Sequence, residues 1–185
     1  MDTAWDEPQT EKLLIWAEKT LGRPVTCAVV THSHADRMGG IGALAQRGLK
    51  AEAVDLTVAR AGGEGLRTLF KATDGLHRDP RGFEAFYPGP GHTVDNIVVW
   101  LPAQHVLFGG CLVKAEGAED LGFVGDADLA SWPGSIAAVR ERYPDTRVVV
   151  PGHGAPGGPA ALARTLELLE AAATQAQGTG SSEAR

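Results

Sequence analysis

At 185 residues, 43% of them apolar and 22% charged, the chain can bury the core of one domain and has the balance of a soluble globular protein. A formal charge of −6 with no Lys/Arg cluster argues against a nucleic-acid binder. No apolar run nears the ~20 residues of a membrane-spanning helix, MDTAWDEPQT lacks the basic and apolar parts of a signal peptide, and two cysteines do not make a disulfide framework.

In chain order, Pro8–Leu21 is predicted to be an amphipathic helix, with Leu13, Trp16, Ala17 and Leu21 on one face and Gly22 as its stop. The run VTCAVVT, Val25–Thr31, predicts a buried strand with Cys27 in the core. The loop HSHADRMGG follows it, and then a helix over 40–47. Residues 50–82 carry weak signals, a short strand KAEAV and a helix over 56–60. Three strands are predicted at 83–87, 96–101 and 106–113, with turns rich in Gly and Pro between them. A helix over 128–143 with Asp128 as N-cap, a strand at 147–150 and a helix over 160–173 complete the pattern. The alternation makes this an α/β fold, read as one domain over 1–176 with a disordered tail, QGTGSSEAR, over 177–185.

The chemistry-bearing residues follow apolar strands. They are His32, His34 and Asp36 in HSHAD, His92 in GPGHT, Cys111 in GGCL and His153 in PGHG. Any one of them has an ordinary explanation as a cap, a surface residue or a packed thiol, and His77 and His105 are read that way. Together they are a metal-ligand set. In an extended segment alternate side chains point the same way, so His32 and His34 can grip one ion while Asp36 offers a hard oxygen to a neighbouring one. Imidazole, thiolate and carboxylate suit zinc, and six ligands suit two ions with three protein ligands each.

HSHADRMGG, YPGPGHTVDN, GGCLVK, GDAD and PGHG, in that order and with DTAW near the start, resemble the metallo-β-lactamases. The likeness is to their dizinc, cysteine-containing subclass and nearest to the New Delhi type. Arg37, where other branches carry histidine, and Cys111 as a ligand select that subclass. The resemblance implies an αββα sandwich that lacks the family's N-terminal strands. It implies one zinc on His32, His34 and His92 and a second on Asp36, Cys111 and His153. A zinc-bound hydroxide would then open the β-lactam ring, with Asp36 and Lys114 as catalytic residues and Lys114 pairing with the substrate carboxylate. Asp2 and Arg37 are expected to steady the ligands, and Trp100 and Trp132 to lie in the core.

Phe123 departs from the family, standing where an asparagine commonly assists the developing oxyanion. Two alternatives stand beside this reading: a hydrolase of another amide, lactone or ester on the same dizinc core, which Phe123 and the missing strands favour, or a non-catalytic zinc-binding remnant in which the metals serve to fold the shortened domain. The expected partners are a small-molecule β-lactam and a second copy of the chain covering the surface left by the missing strands, with no nucleic acid and no membrane. The family's address is periplasmic or secreted.

Overall fold

The computed structural model describes residues 2–63 and 65–180, with side chains as far as residue 175. The chain divides into two compact units: residues up to Tyr87 together with Asp95–Val99, and Pro88–Val94 together with the chain from Trp100 on.

The first unit opens with helix α1 (Glu7–Leu21). The Asp6 carboxylate caps it by accepting the Gln9 N–H, Pro8 sits in its first turn, and Gly22 ends it at φ 62°, a left-handed turn that suits glycine. Helices α2 (Ala35–Met38), α3 (Ile41–Gln46) and α4 (Asp55–Arg60) surround a parallel sheet of β1 (Ala28–Val29), β2 (Ala51–Val54) and β3 (Leu66–Phe70), in that order. Its core is Leu14, Ala28, Val30, Leu44, Ala51 and Ala53, with Val25, Met38 and Ile41 packed against it. A 3-10 turn (Ala72–Asp74) leads into the antiparallel pair β4 (Leu76–Asp79) and β5 (Phe83–Phe86).

Strand β6 (Val98–Leu101) closes the first unit and opens the second. In the second, β7 (Val106–Gly110) pairs in parallel with β8 (Val148–Pro151), and helices α5 (Trp132–Arg142) and α6 (Ala160–Gly180) pack together. Its core includes Leu107, Leu112, Trp132, Ile136, Val139 and Val149. Trp100 stacks on Tyr143 with ring centroids 5.1 Å apart, and both tryptophans read as core from the sequence are buried.

Several expectations need correction. Helix α1 buries Thr10, Leu14 and Ala17, whereas Leu13, Trp16 and Leu21 are 45%, 50% and 53% exposed. The packed face is centred one residue on from Leu13, because the core lies against Leu14. Cys27 is half-buried rather than core, and Arg81 Nη1–H donates to its Sγ at 2.9 Å. The strand read over 25–31 is regular only at Ala28–Val29, since Val30 N–H still bonds Glu52 O but the chain then turns into the histidine loop. Helix α5 begins at Trp132, and the Asp128 carboxylate caps the turn before it by accepting the Ser131 N–H at 2.9 Å and hydroxyl at 2.8 Å. Helix α6 runs on to Gly180, into the stretch read as a tail, and residues 181–185 lie outside the described residues. The poorly readable stretch holds two strands, β3 and β4, that the sequence did not announce.

Candidate metal centre

In the first unit the three metal-competent residues lie on the loop after β1. His34 is extended (φ −82°, ψ 153°) and precedes α2, so the His32 and His34 rings stand edge to face with centroids 4.7 Å apart. His32 is fully buried, His34 half-buried, and the Asp36 carboxylate 9% exposed.

Neighbouring side chains fasten this loop. The Thr31 N–H donates to Asp2 Oδ1 at 2.7 Å and the Thr31 hydroxyl to Asp2 Oδ2 at 3.0 Å. That hydroxyl oxygen also lies 3.3 Å from His32 Nδ1. With its proton committed to Asp2, it accepts from an Nδ1–H, which leaves His32 Nε2 as the ring's lone-pair nitrogen. Arg37 reaches Asp36 Oδ2 at 3.0 Å and Asp2 Oδ2 at 3.7 Å. Burial pushes the Asp2 carboxyl up to about 6, with Thr31 and Arg37 pulling against that rise. The fully buried Asp95 accepts from Ser33 N–H at 2.9 Å and the Thr57 hydroxyl at 2.8 Å. Asp95, in the VDN motif, is a principal anchor of the histidine loop.

In the second unit three separate segments each bring one residue. Strands β7 and β8 are in register at Gly110↔Pro151, so Cys111 and Gly152 emerge side by side and His153 follows. A Cβ added at Gly152 would lie 2.6 Å from both Cys111 N and Sγ, so only glycine fits there. Cys111 is 1% exposed and His153 exposed. His92 is buried on a loop fastened to α5, where Gly91 O accepts the Asp128 N–H at 2.8 Å and Pro90 O accepts the Ser135 hydroxyl at 2.6 Å. Lys114 donates its N–H to Thr165 Oγ1 at 2.9 Å, and its Nζ lies 5.2 Å from the Trp132 ring centroid.

The donors fit zinc on chemistry and shape. They are imidazole, carboxylate and thiolate, one histidine has its lone pair set by its neighbour, and glycine backbone is held against the cysteine. The metal-competent side chains read from the sequence are His32, His34 and Asp36 in the first unit and His92, Cys111 and His153 in the second. His77 pairs with Asp79 at 3.1 Å and His105 Nδ1 lies 3.0 Å from Asp145 O, which are the ordinary roles expected of them.

An α/β fold with such donors at the ends of its strands defines a class, the metal-dependent hydrolases. The comparisons narrow it. Residues 1–153 match the family described as the metallo-beta-lactamase superfamily. A metallo-beta-lactamase type 2 of Bacillus cereus is 45% identical over 174 residues, 92% of this chain and 68% of that protein. Another, from Bacteroides fragilis, is 37% identical over 172 residues, 91% of this chain and 69% of that one. Among solved structures, the enzyme from Erythrobacter litoralis, with beta mercaptoethanol in its active site, superposes with TM-score 0.82 at 39% identity, covering 91% and 78% of the two chains. FIM-1 from Pseudomonas aeruginosa, in a mono-zinc form, gives 0.84 at 38% identity, covering 92% and 77%. The chain belongs to the metallo-β-lactamase superfamily and has its fold.

Proposed function

We propose that this chain is a zinc-dependent hydrolase that opens the β-lactam ring, and that it uses the dizinc, cysteine-containing form of the site. The donor set carries the reading: His32, His34 and His92 for one ion, Asp36, Cys111 and His153 for the other. Relatives named metallo-beta-lactamase, 45% and 37% identical, support it. The New Delhi likeness rests on the GPGHT, GGCL and GDAD motifs.

Bound zinc supplies a nucleophile at neutral pH by acidifying its water, and a Lewis acid for the carbonyl oxygen. The chain's own residues do the rest. Asp2 and Asp95 hold the backbone of Thr31 and Ser33, so the histidine rings meet an ion without first paying ordering entropy. Arg37 fixes the Asp36 carboxylate at 3.0 Å. Lys114, anchored through its backbone on Thr165, presents an ammonium to the carboxylate that β-lactam drugs carry. Cys111 must lose its proton to ligate, so metal affinity falls as pH drops.

The test is hydrolysis of a chromogenic cephalosporin with added zinc, then with chelator. Chelator-sensitive turnover that Cys111→Ala removes supports the reading. Folded, zinc-loaded protein that leaves the cephalosporin intact overturns it. One observation favours a second substrate class: Phe123, at 64% exposure, offers an apolar ring and no hydrogen-bond donor. Faster turnover of a lactone or thioester than of any β-lactam would establish that alternative.

The reading extends to address and assembly. A periplasmic or secreted location accords with an antibiotic-resistance role, and no described helix is long and apolar enough to cross a membrane. A homodimer is proposed to cover the exposed Leu13, Trp16 and Leu21 of α1, which border a groove of about 360 Å³ that also touches Val25 and Cys27. Static light scattering of the zinc-loaded protein decides between monomer and dimer.

A further inference from the structure

The second unit contains a side chain to which no part of the reaction has been assigned, yet which touches three segments that matter to it. Trp132 is fully buried at the head of α5. Its backbone N–H bonds Asp128 O at 3.0 Å, and Asp128 in turn bonds Gly91 beside His92. Its indole Nε1–H donates at 2.9 Å to the carbonyl of Leu112, the residue after Cys111. The ring meets the His92 ring edge to face at 5.7 Å, and the Lys114 ammonium lies 5.2 Å from its centroid.

We propose that Trp132 is a positioning residue that sets the Lys114 ammonium for an anionic substrate. The proposal rests on the reading of Lys114 as the carboxylate's partner. A lysine side chain loses rotamer entropy when it is fixed. An indole face attracts the ammonium electrostatically and fixes the stem before substrate arrives, so less of that entropy is lost on binding. The indole cannot drift, because its N–H is tied to Leu112 O and its other contacts hold it within the core. The same tie holds the Cys111–Lys114 segment to α5, so the lysine and its platform keep one geometry.

A purely structural tryptophan would affect all substrates alike, whereas a positioning tryptophan distinguishes a substrate that bears a carboxylate from one that does not. The experiment compares a chromogenic cephalosporin with its methyl ester on zinc-loaded protein and reads the ratio of their KM values. Trp132→Leu is expected to raise the acid's KM relative to the ester's by about tenfold. Trp132→Phe keeps a smaller ring in place, and about threefold is expected; this variant carries the test if the leucine variant does not fold. With Lys114→Ala already present, substituting Trp132 should no longer move the ratio.

Acid and ester KM values that shift together in both Trp132 variants would overturn the proposal. So would a Lys114→Ala variant with a raised ratio alongside a Trp132→Phe variant at the wild-type ratio. If Lys114→Ala itself leaves the ratio where it was, the lysine reading fails first, and the proposal falls with it.

Discussion

The two units build their metal-competent residues in opposite ways. In the first, His32, His34 and Asp36 occupy five consecutive positions, and neighbouring side chains give the loop its shape: Asp2 on Thr31, Asp95 on Ser33 and Arg37 on Asp36. In the second, His92, Cys111 and His153 are spread over 62 positions, and backbone pairing sets Cys111 while the Ser135 and Trp132 side chains fasten the segments around it. There the register of β7 with β8 and the bare Gly152 set Cys111 beside its neighbour. A contiguous motif fixes the order of its ligands but not its own conformation, so it needs outside anchors. A dispersed set inherits its geometry from the sheet and is vulnerable wherever the backbone passes closely.

The sharpest test of that contrast is a single methyl group. Gly152→Ala puts a Cβ 2.6 Å from Cys111 N and Sγ, and one of the two backbones must move. A displacement of about 1 Å at a reacting site costs roughly 100-fold in rate, so hydrolysis is expected to fall at least that far while the first unit keeps its structure. Steady-state kinetics with circular dichroism on the same sample measure both. If the variant is fully active, the claim that backbone pairing sets Cys111 is wrong.

A smaller effect is expected from Arg37→Ala, which removes the anchor on Asp36 and an ion pair to Asp2. Zinc affinity by chelator competition should drop by about 10- to 100-fold with the ligands themselves untouched. Wild-type affinity in that variant would mean that Asp2 and Asp95 suffice to hold the loop.

The smallest effect lies away from both sets. Arg81 hydrogen bonds hold the Asp79 carboxyl well below the usual carboxylate range. A depressed carboxyl stabilises the fold above its unfolded pKa of about 3.9, and that contribution fades as pH falls toward the folded value. Arg81 is 39% exposed, so the pair is largely screened. Asp79→Asn is therefore expected to lower Tm by about 2 °C at pH 7, with the gap closing as the pH is taken below 4. A gap that does not begin to narrow as the pH falls from 4 toward the folded carboxyl's own, lower range would assign the effect to packing instead of charge.

The α/β fold was legible in the sequence where apolar runs were continuous: Val98–Leu101 and Val106–Gly110 are strands of the structure. Strands β3 and β4 were not, because LRTLF and LHRD are only partly buried and carry charge along their length. The chain satisfies that charge through ion pairs that sequence spacing does not reveal, as the buried Glu52 does with both Arg67 and Arg81. The face of α1 was misread since its apolar residues outnumber those the core can take, and Leu14 won the buried place over Leu13. As for the site, the candidate donors stand out in the sequence through their chemistry and flanking glycines. The anchors Asp95 and Trp132 do not, for an aspartate in a turn and a tryptophan at a helix start have commonplace explanations until their partners are known.

The four tryptophans are divided between the units in a way that matters at the bench. Trp5 and Trp16 of the first unit are 60% and 50% exposed, while Trp100 and Trp132 of the second are 7% and 0%. The first pair therefore emits into water and is open to collisional quenchers such as iodide, and the second emits from an apolar medium at shorter wavelength. A denaturation curve read from the buried pair follows the second unit, because unfolding carries those rings from apolar surroundings into water, and quenching by iodide sets the exposed pair apart without any dye or label.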